Sequence, residues 1–233
     1  MPIRIEPLIE PTPEAILVGD PRRAFVLAQA FTEEPKMSHL ARGLWGYVGR
    51  TPDGKGLTVQ STGAGGPAAA AVLSDLAEAG VETAVRMGTC EAVEGGPEAG
   101  RVFLVNGALA MDGAGRALAG AGAGENDVRV EPDADLTAGL GGALGASAPG
   151  IDVSSHDLVA RLDRDYERGN PARIRDLQTA AFLAAAAKVG VRAAALLIVV
   201  EDAAGVRLSE AEIEEGLIGF WPGVAAALGK AST

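Results

Sequence analysis

The chain has 233 residues, 48% of them hydrophobic and 22% charged, which suffices for the core of one α/β domain and is too apolar for a disordered chain. A net charge of −11 excludes a general nucleic-acid surface, which needs a positive footprint. A single cysteine, Cys90, and two histidines, His39 and His156, exclude an internal disulfide and a zinc-type cluster, and fit a reducing, cytoplasmic setting.

Read from the N-terminus, no basic, apolar and cleavage-site succession marks a signal peptide. The first apolar strand is expected over 15–18. Gly19-Asp20-Pro21-Arg22-Arg23 follows at once, then a helix over 22–31. Gly19 frees the backbone, Pro21 opens the helix and an arginine sits in its first turn, which together suit an anion. Alone, that segment reads first as a helix cap with solvated arginines. A second segment points to the same edge. Residues 57–62 are a strand candidate, and Gly63, Gly65 and Gly66 give a tight turn with close backbone approach. Pro67 begins a helix over 67–79, Gly80 ends it, and Val72, Leu73 and Leu76 form its apolar stripe. A strand over 83–87 then completes a right-handed parallel crossover. Ligands in such sheets bind beyond the carboxyl ends of the strands, where Arg86-Met87-Gly88-Thr89 offers a cationic fork and a hydroxyl.

Further strands are expected at 102–110, 151–155 and 193–200, and further helices at 174–189 and 209–228. The 193–200 run is apolar throughout, as for a strand covered on both faces, and is too short to span a bilayer. Residues 113–124 and 137–150 are rich in Gly and Ala and read as loops or as a helix and turns. Alternation of strand and helix means an α/β fold, with no visible boundary inside 1–233.

Taken together, these segments resemble the nucleoside phosphorylase family of the hexameric type, which includes uridine phosphorylases and bacterial purine nucleoside phosphorylases. The anchors are VGDPRR at 18–23, RGLWGYVG at 42–49, STGAGGP at 61–67, RMGTCEAV at 86–93 and the stretch 176–202. The resemblance implies a three-layer α/β/α domain with a central mixed, twisted sheet. It also implies a homo-oligomer built from dimers, up to a hexamer, with inorganic phosphate as co-substrate and neither cofactor nor metal, and without nucleic-acid or membrane partners. By the same resemblance Gly19, Arg23, Arg86 and Thr89 bind phosphate within one subunit, and Arg42 reaches the phosphate of a neighbouring subunit. Gly65, Cys90, Leu158, Asp176, Leu177 and Gln178 fall in the nucleoside half. Asp202 lies where purine-specific members carry the general acid that protonates the leaving base, whereas uridine phosphorylases tend to have arginine there.

The departures cluster in the nucleoside half. Asp176, Leu177 and Gln178 stand where the family has Glu, Met and Glu, so Gln178 keeps an acceptor but loses the charge that grips the ribose hydroxyls. Leu158 replaces an aromatic that stacks on the base. Arg164 matches the base-reading arginine of uridine phosphorylases, but Leu162 stands where its glutamine partner would be. Ile3 occupies the place of the family's N-terminal histidine, and His39 reads as a surface histidine. The implied reaction is phosphorolysis of an N-glycosidic bond, with purine nucleosides favoured. Uridine phosphorolysis, hydrolysis by a nucleosidase of the same fold, and non-catalytic nucleoside or phosphate binding are the alternatives.

Overall fold

The computed structural model describes residues 6–122, 128–157, 159, 162 and 172–231. Strand β1 (Glu14–Val18) lies at the centre, with β4 (Gly56–Ser61) and β5 (Thr83–Ala92) parallel to it on either side. Beyond β4 the sheet continues antiparallel through β3 (Gly46–Arg50) to β2 (Glu33–His39). Beyond β5 come β10 (Arg192–Glu201), parallel, and β9 (Ile174–Asp176), antiparallel. Strand β6 (Val102–Ala110) pairs with β10, with β8 (Gly150–Ser155) and with the two-residue β7 (Arg129–Val130). Because β8 also pairs with β9, the strands β5, β9, β8, β6 and β10 close into a ring. The architecture is thus α/β around a mixed sheet, one half of it open and the other curled shut.

Alternation along the strands sorts the helices into two layers. Ala15 and Leu17 of β1, with Ala193, Ala195, Leu197 and Val199 of β10, pack with α2 (Gly66–Glu78) and α5 (Thr179–Val189). Ile16 and Val18, with Ala194, Leu196 and Ile198, pack with α1 (Pro21–Phe31), α4 (Ala134–Leu144), α6 (Glu210–Gly219) and α7 (Trp221–Ala231). Helix α5 is enclosed by both sheet and helices: all residues from Thr179 to Ala186 are buried. Its alanines let neighbours approach closely; a Cβ on Gly66 of α2 would come within 2.8 Å of the Ala181 methyl. This explains a core built with so few aromatics. Among the described residues no helix is long and apolar enough to cross a membrane.

Several expected elements are corrected. The helix expected over 174–189 starts only at Thr179, because 174–176 form β9, whose backbone closes the ring against β5 and β8. The helix expected over 209–228 is two helices, α6 and α7. Pro222 causes the break: it lacks an N–H and its ring would strike the carbonyl four residues back. Trp221 stacks on Phe31 of α1 with ring centroids 4.3 Å apart, which pins the junction. The strand expected over 83–87 runs on to Ala92, since β10 follows it in register through Cys90 and, after a shift at Val200, pairs Glu201 with Glu91. In the Gly/Ala-rich stretches, α3 (Gly113–Ala119) and α4 are helices, capped by the side chains of Asp112 and Asp133. His39, expected at the surface, is buried at the end of β2.

Candidate active site

Two strand-to-turn-to-helix units lay their helix N-termini at one edge of the sheet. After β1, Gly19 makes the turn and Asp20 caps α1 by accepting the Arg23 backbone N–H at 3.0 Å. After β4, Gly63 and Gly65 make the turn into α2. Gly65 has φ 86° and ψ 157°, a region open in practice only to glycine, and α2 carries no side-chain cap. Its first-turn amides are therefore left for a ligand. Between these turns lies a cavity of about 320 Å³, lined among others by Gly19, Asp20, Arg23, Gly63, Gly65 and Arg86. Thr89, Cys90, Asp176, Leu177 and Gln178 line it as well. Most of the site residues expected from the sequence are thus brought together.

Arg86 is not at a strand end. It sits inside β5, opposite Leu17, and is 4% exposed. Its side chain runs back over Gly88, where a Cβ would lie 2.6 Å from the guanidinium carbon, so only glycine leaves the path open. Nη2 donates to Asp176 Oδ2 at 3.0 Å and Nε to Thr179 Oγ1 at 3.1 Å. Nη1 has no partner among the described residues and is the nitrogen left for an anion. Asp176 in turn accepts from the Thr179 backbone N–H and hydroxyl and from Ser155 Oγ. It works as an internal brace rather than as a ligand-facing acid. Arg23, 13% exposed, lies 3.5 Å from Glu210 on α6.

Gln178 is also committed within the protein. Its amide nitrogen donates to the carbonyls of Gly63 at 2.6 Å and Gly65 at 3.3 Å, holding the glycine turn in shape. A glutamate there would set a carboxylate against those carbonyl oxygens. Burial pushes the Cys90 thiol well above its usual range, with the Asp176 carboxylate adding to the effect, so it stays protonated and is no nucleophile. The lining also includes Glu91 and Arg175, a pair that pattern reading did not single out. Their signal is a charge on each of two strands that register only in the fold.

Two expected site residues, Arg42 and Asp202, lie apart from the cavity, as does His39. Arg42 is exposed in the turn between β2 and β3, with φ 59° and ψ 16°, a left-handed conformation unusual for a side-chain-bearing residue. Asp202 follows β10; its Oδ1 accepts from the backbone N–H groups of Ala204 and Val206 at 3.0 Å, and its Oδ2 from Ala99 at 3.4 Å. His39 lies on β2. Leu158, Arg164 and Ile3 lie outside the described residues, and Leu162 is exposed. Among the described residues no group of three or more His, Cys, Asp or Glu could hold a metal ion.

Three arginines and three carboxylates line the cavity, and each carboxylate is already engaged. The bias toward an anion therefore comes from the two helix N-termini and the unpartnered Arg86 Nη1. Fold and site define an α/β protein with a cleft at the carboxyl edge of its sheet, lined by arginines and the turns that open two helices. Residues 13–218 match the family model of the phosphorylase superfamily, and the chain belongs to that superfamily. A relative from Oceanobacillus iheyensis, named purine nucleoside phosphorylase DeoD-type, is 38% identical over 94 residues, 40% of either chain. One of the same name from Clostridium novyi is 35% identical over 102 residues, 43% of either chain. The match thus spans about two fifths of those relatives' own length. A protein of Halorubrum lacusprofundi named guanosine phosphorylase is 29% identical over 191 residues, 79% of this chain and 76% of its own.

Proposed function

We propose that this chain cleaves the N-glycosidic bond of a purine nucleoside with inorganic phosphate, giving the free base and (deoxy)ribose 1-phosphate. The observation that carries this reading is the convergence of two helix N-termini, Arg23, Arg86 and Thr89 on one cavity that Gln178, seated against the glycine turn, also lines. Phosphate sits at Gly19, Arg23, Arg86 and Thr89, fixed where a phosphate oxygen bonds to the anomeric carbon as the bond to the base breaks. The bonding pair leaves with the base, and Asp202 supplies the proton that makes the base a better leaving group. Gln178 spends its nitrogen on the glycine turn and keeps Oε1 to accept a sugar hydroxyl. The names of the relatives from Oceanobacillus, Clostridium and Halorubrum agree with a purine substrate.

The test is release of free base from inosine, guanosine, adenosine, methylthioadenosine, uridine and thymidine, with and without phosphate. Phosphate-dependent release from purine nucleosides is the expected result. Release without phosphate would make the protein a hydrolase, uridine alone would overturn the purine assignment, and no release would leave a binding protein.

The same reading makes Arg42 a residue given to a second copy of the chain. Its turn is exposed and strained, and it is flanked by Leu40 and Trp45, 55% and 37% exposed. Such a rim of apolar groups around one cation suits burial against another subunit. Sedimentation at micromolar concentration is expected to show a dimer or a multiple of dimers, and Arg42→Ala to weaken phosphate binding by about tenfold or more. A monomer that binds phosphate equally well with and without Arg42 would overturn this.

A further inference from the structure

The cavity lining includes residues that the reading above assigns to neither phosphate nor sugar. Two residues on from Thr89 along β5, about 7 Å along the strand and on the same face, stands Glu91. Its direct neighbour across the antiparallel pair is Arg175 of β9, whose Nε donates to Glu91 Oε2 at 3.2 Å. The two are unequal partners: the Arg175 side chain is 7% exposed and that of Glu91 40%. Both line the cavity, and the carboxylate is the more exposed of the two. An exposed cross-strand pair would contribute little to stability, and burying a guanidinium is costly, so packing gives no reason for this arrangement. Around it the lining is Cys90, Val159, Leu177 and Val200, a protonated thiol and aliphatic groups. These cover the faces of a flat ligand but carry no pattern that reads its edge.

We propose that Glu91 reads the base, with Arg175 as its positioning residue, and selects purines of the 2-amino-6-oxo type. The inference rests on the reading of this cavity as a nucleoside site. A carboxylate is acceptor-only. A 2-amino-6-oxopurine turns two adjacent N–H donors toward it, N1–H and the exocyclic amine, and fills both oxygens' accepting directions. Hypoxanthine offers N1–H alone. Adenine sets the bare acceptor N1 beside its amine, and uracil flanks its N–H with two carbonyl oxygens, so both bring lone pairs against the carboxylate. A site built to accept from donors discriminates strongly against ligands that lack them. The held guanidinium keeps the carboxylate aimed.

Calorimetry of guanosine, inosine and adenosine with the intact protein, without phosphate, reads this directly because nothing turns over. Guanosine is expected to bind at least about tenfold more tightly than adenosine, with inosine between. Glu91→Gln keeps the size and one acceptor, and Glu91→Ala removes both. Each is expected to weaken guanosine by about 10–100-fold and to leave adenosine unchanged or tighter. Equal affinities in the native protein, a guanosine preference that survives in both variants, or no nucleoside binding at millimolar concentration would overturn the proposal. If the preference is present and Glu91-dependent but no base is released with phosphate, the reaction assignment fails and the base-reading role stands.

Discussion

Asp202→Asn is expected to lower the turnover of phosphorolysis by about 10²–10⁴-fold while phosphate binds as before. Asparagine suits the test because of how Asp202 is held. The Oδ1 bonds to Ala204 and Val206 tie the turn after β10, and an amide oxygen can keep both. The group that changes is Oδ2, whose only bond among the described residues is the long one to the Ala99 N–H. That weaker contact is the one the acid gives up when it turns toward the base, and β10 directs it there, since Val200, two residues earlier, already lines the cavity. Steady-state rates alongside phosphate calorimetry separate the outcomes. A variant that turns over at the native rate would make Asp202 a turn cap and send the search for the proton elsewhere.

Asp176→Ala is expected to destabilise the protein by about 3–5 kcal/mol, because it strands the Arg86 guanidinium in a site from which water is excluded. The two side chains are 1% and 4% exposed, and the carboxylate also serves Thr179 and Ser155. The loss should appear in urea unfolding as a lower midpoint with an unchanged slope. Arg86→Ala strands the carboxylate instead, so a fall in phosphate binding in that variant mixes a lost ligand with a loosened fold. A change below about 1 kcal/mol in Asp176→Ala would mean that water reaches the pair.

Local punctuation carried most of what could be read in advance. Gly63, Gly65, Pro67 and Gly80 mark a turn, a helix start and a helix end because each constrains its own backbone, and β4, the glycine turn and α2 follow. Gly19 and Pro21 do the same for α1. Strand β9 was hidden because nothing within it signals a strand; its side chains are satisfied by Arg86 and Glu91, 90 and 84 residues away. Strand β2 was hidden for the opposite reason, being a polar, largely exposed edge strand with no apolar alternation. Helices α3 and α4 lay under glycine and alanine, although Asp112 and Asp133 were legible as caps. In the site, residue types pointed to an anion, but not to Arg86 being shared with Asp176, nor to Gln178 committing its amide nitrogen to the glycine turn.

The closed ring bears on when the site exists at all. Its last link is β9, three residues long, which joins β5 and β8 and presents Arg175 to Glu91 and Asp176 to Arg86. Contacts this distant in sequence form late in folding, since the chain between them loses its freedom before they reward it. Until β9 docks, the guanidinium of Arg86 has no counter-ion, and the wall that holds Gln178 and Glu91 in place is missing. Binding competence and ring closure are therefore one event. A partly folded chain, or one that has locally opened at β9, carries every residue of the site and binds with none of them, so a ligand of this cleft also acts as a latch on the barrel.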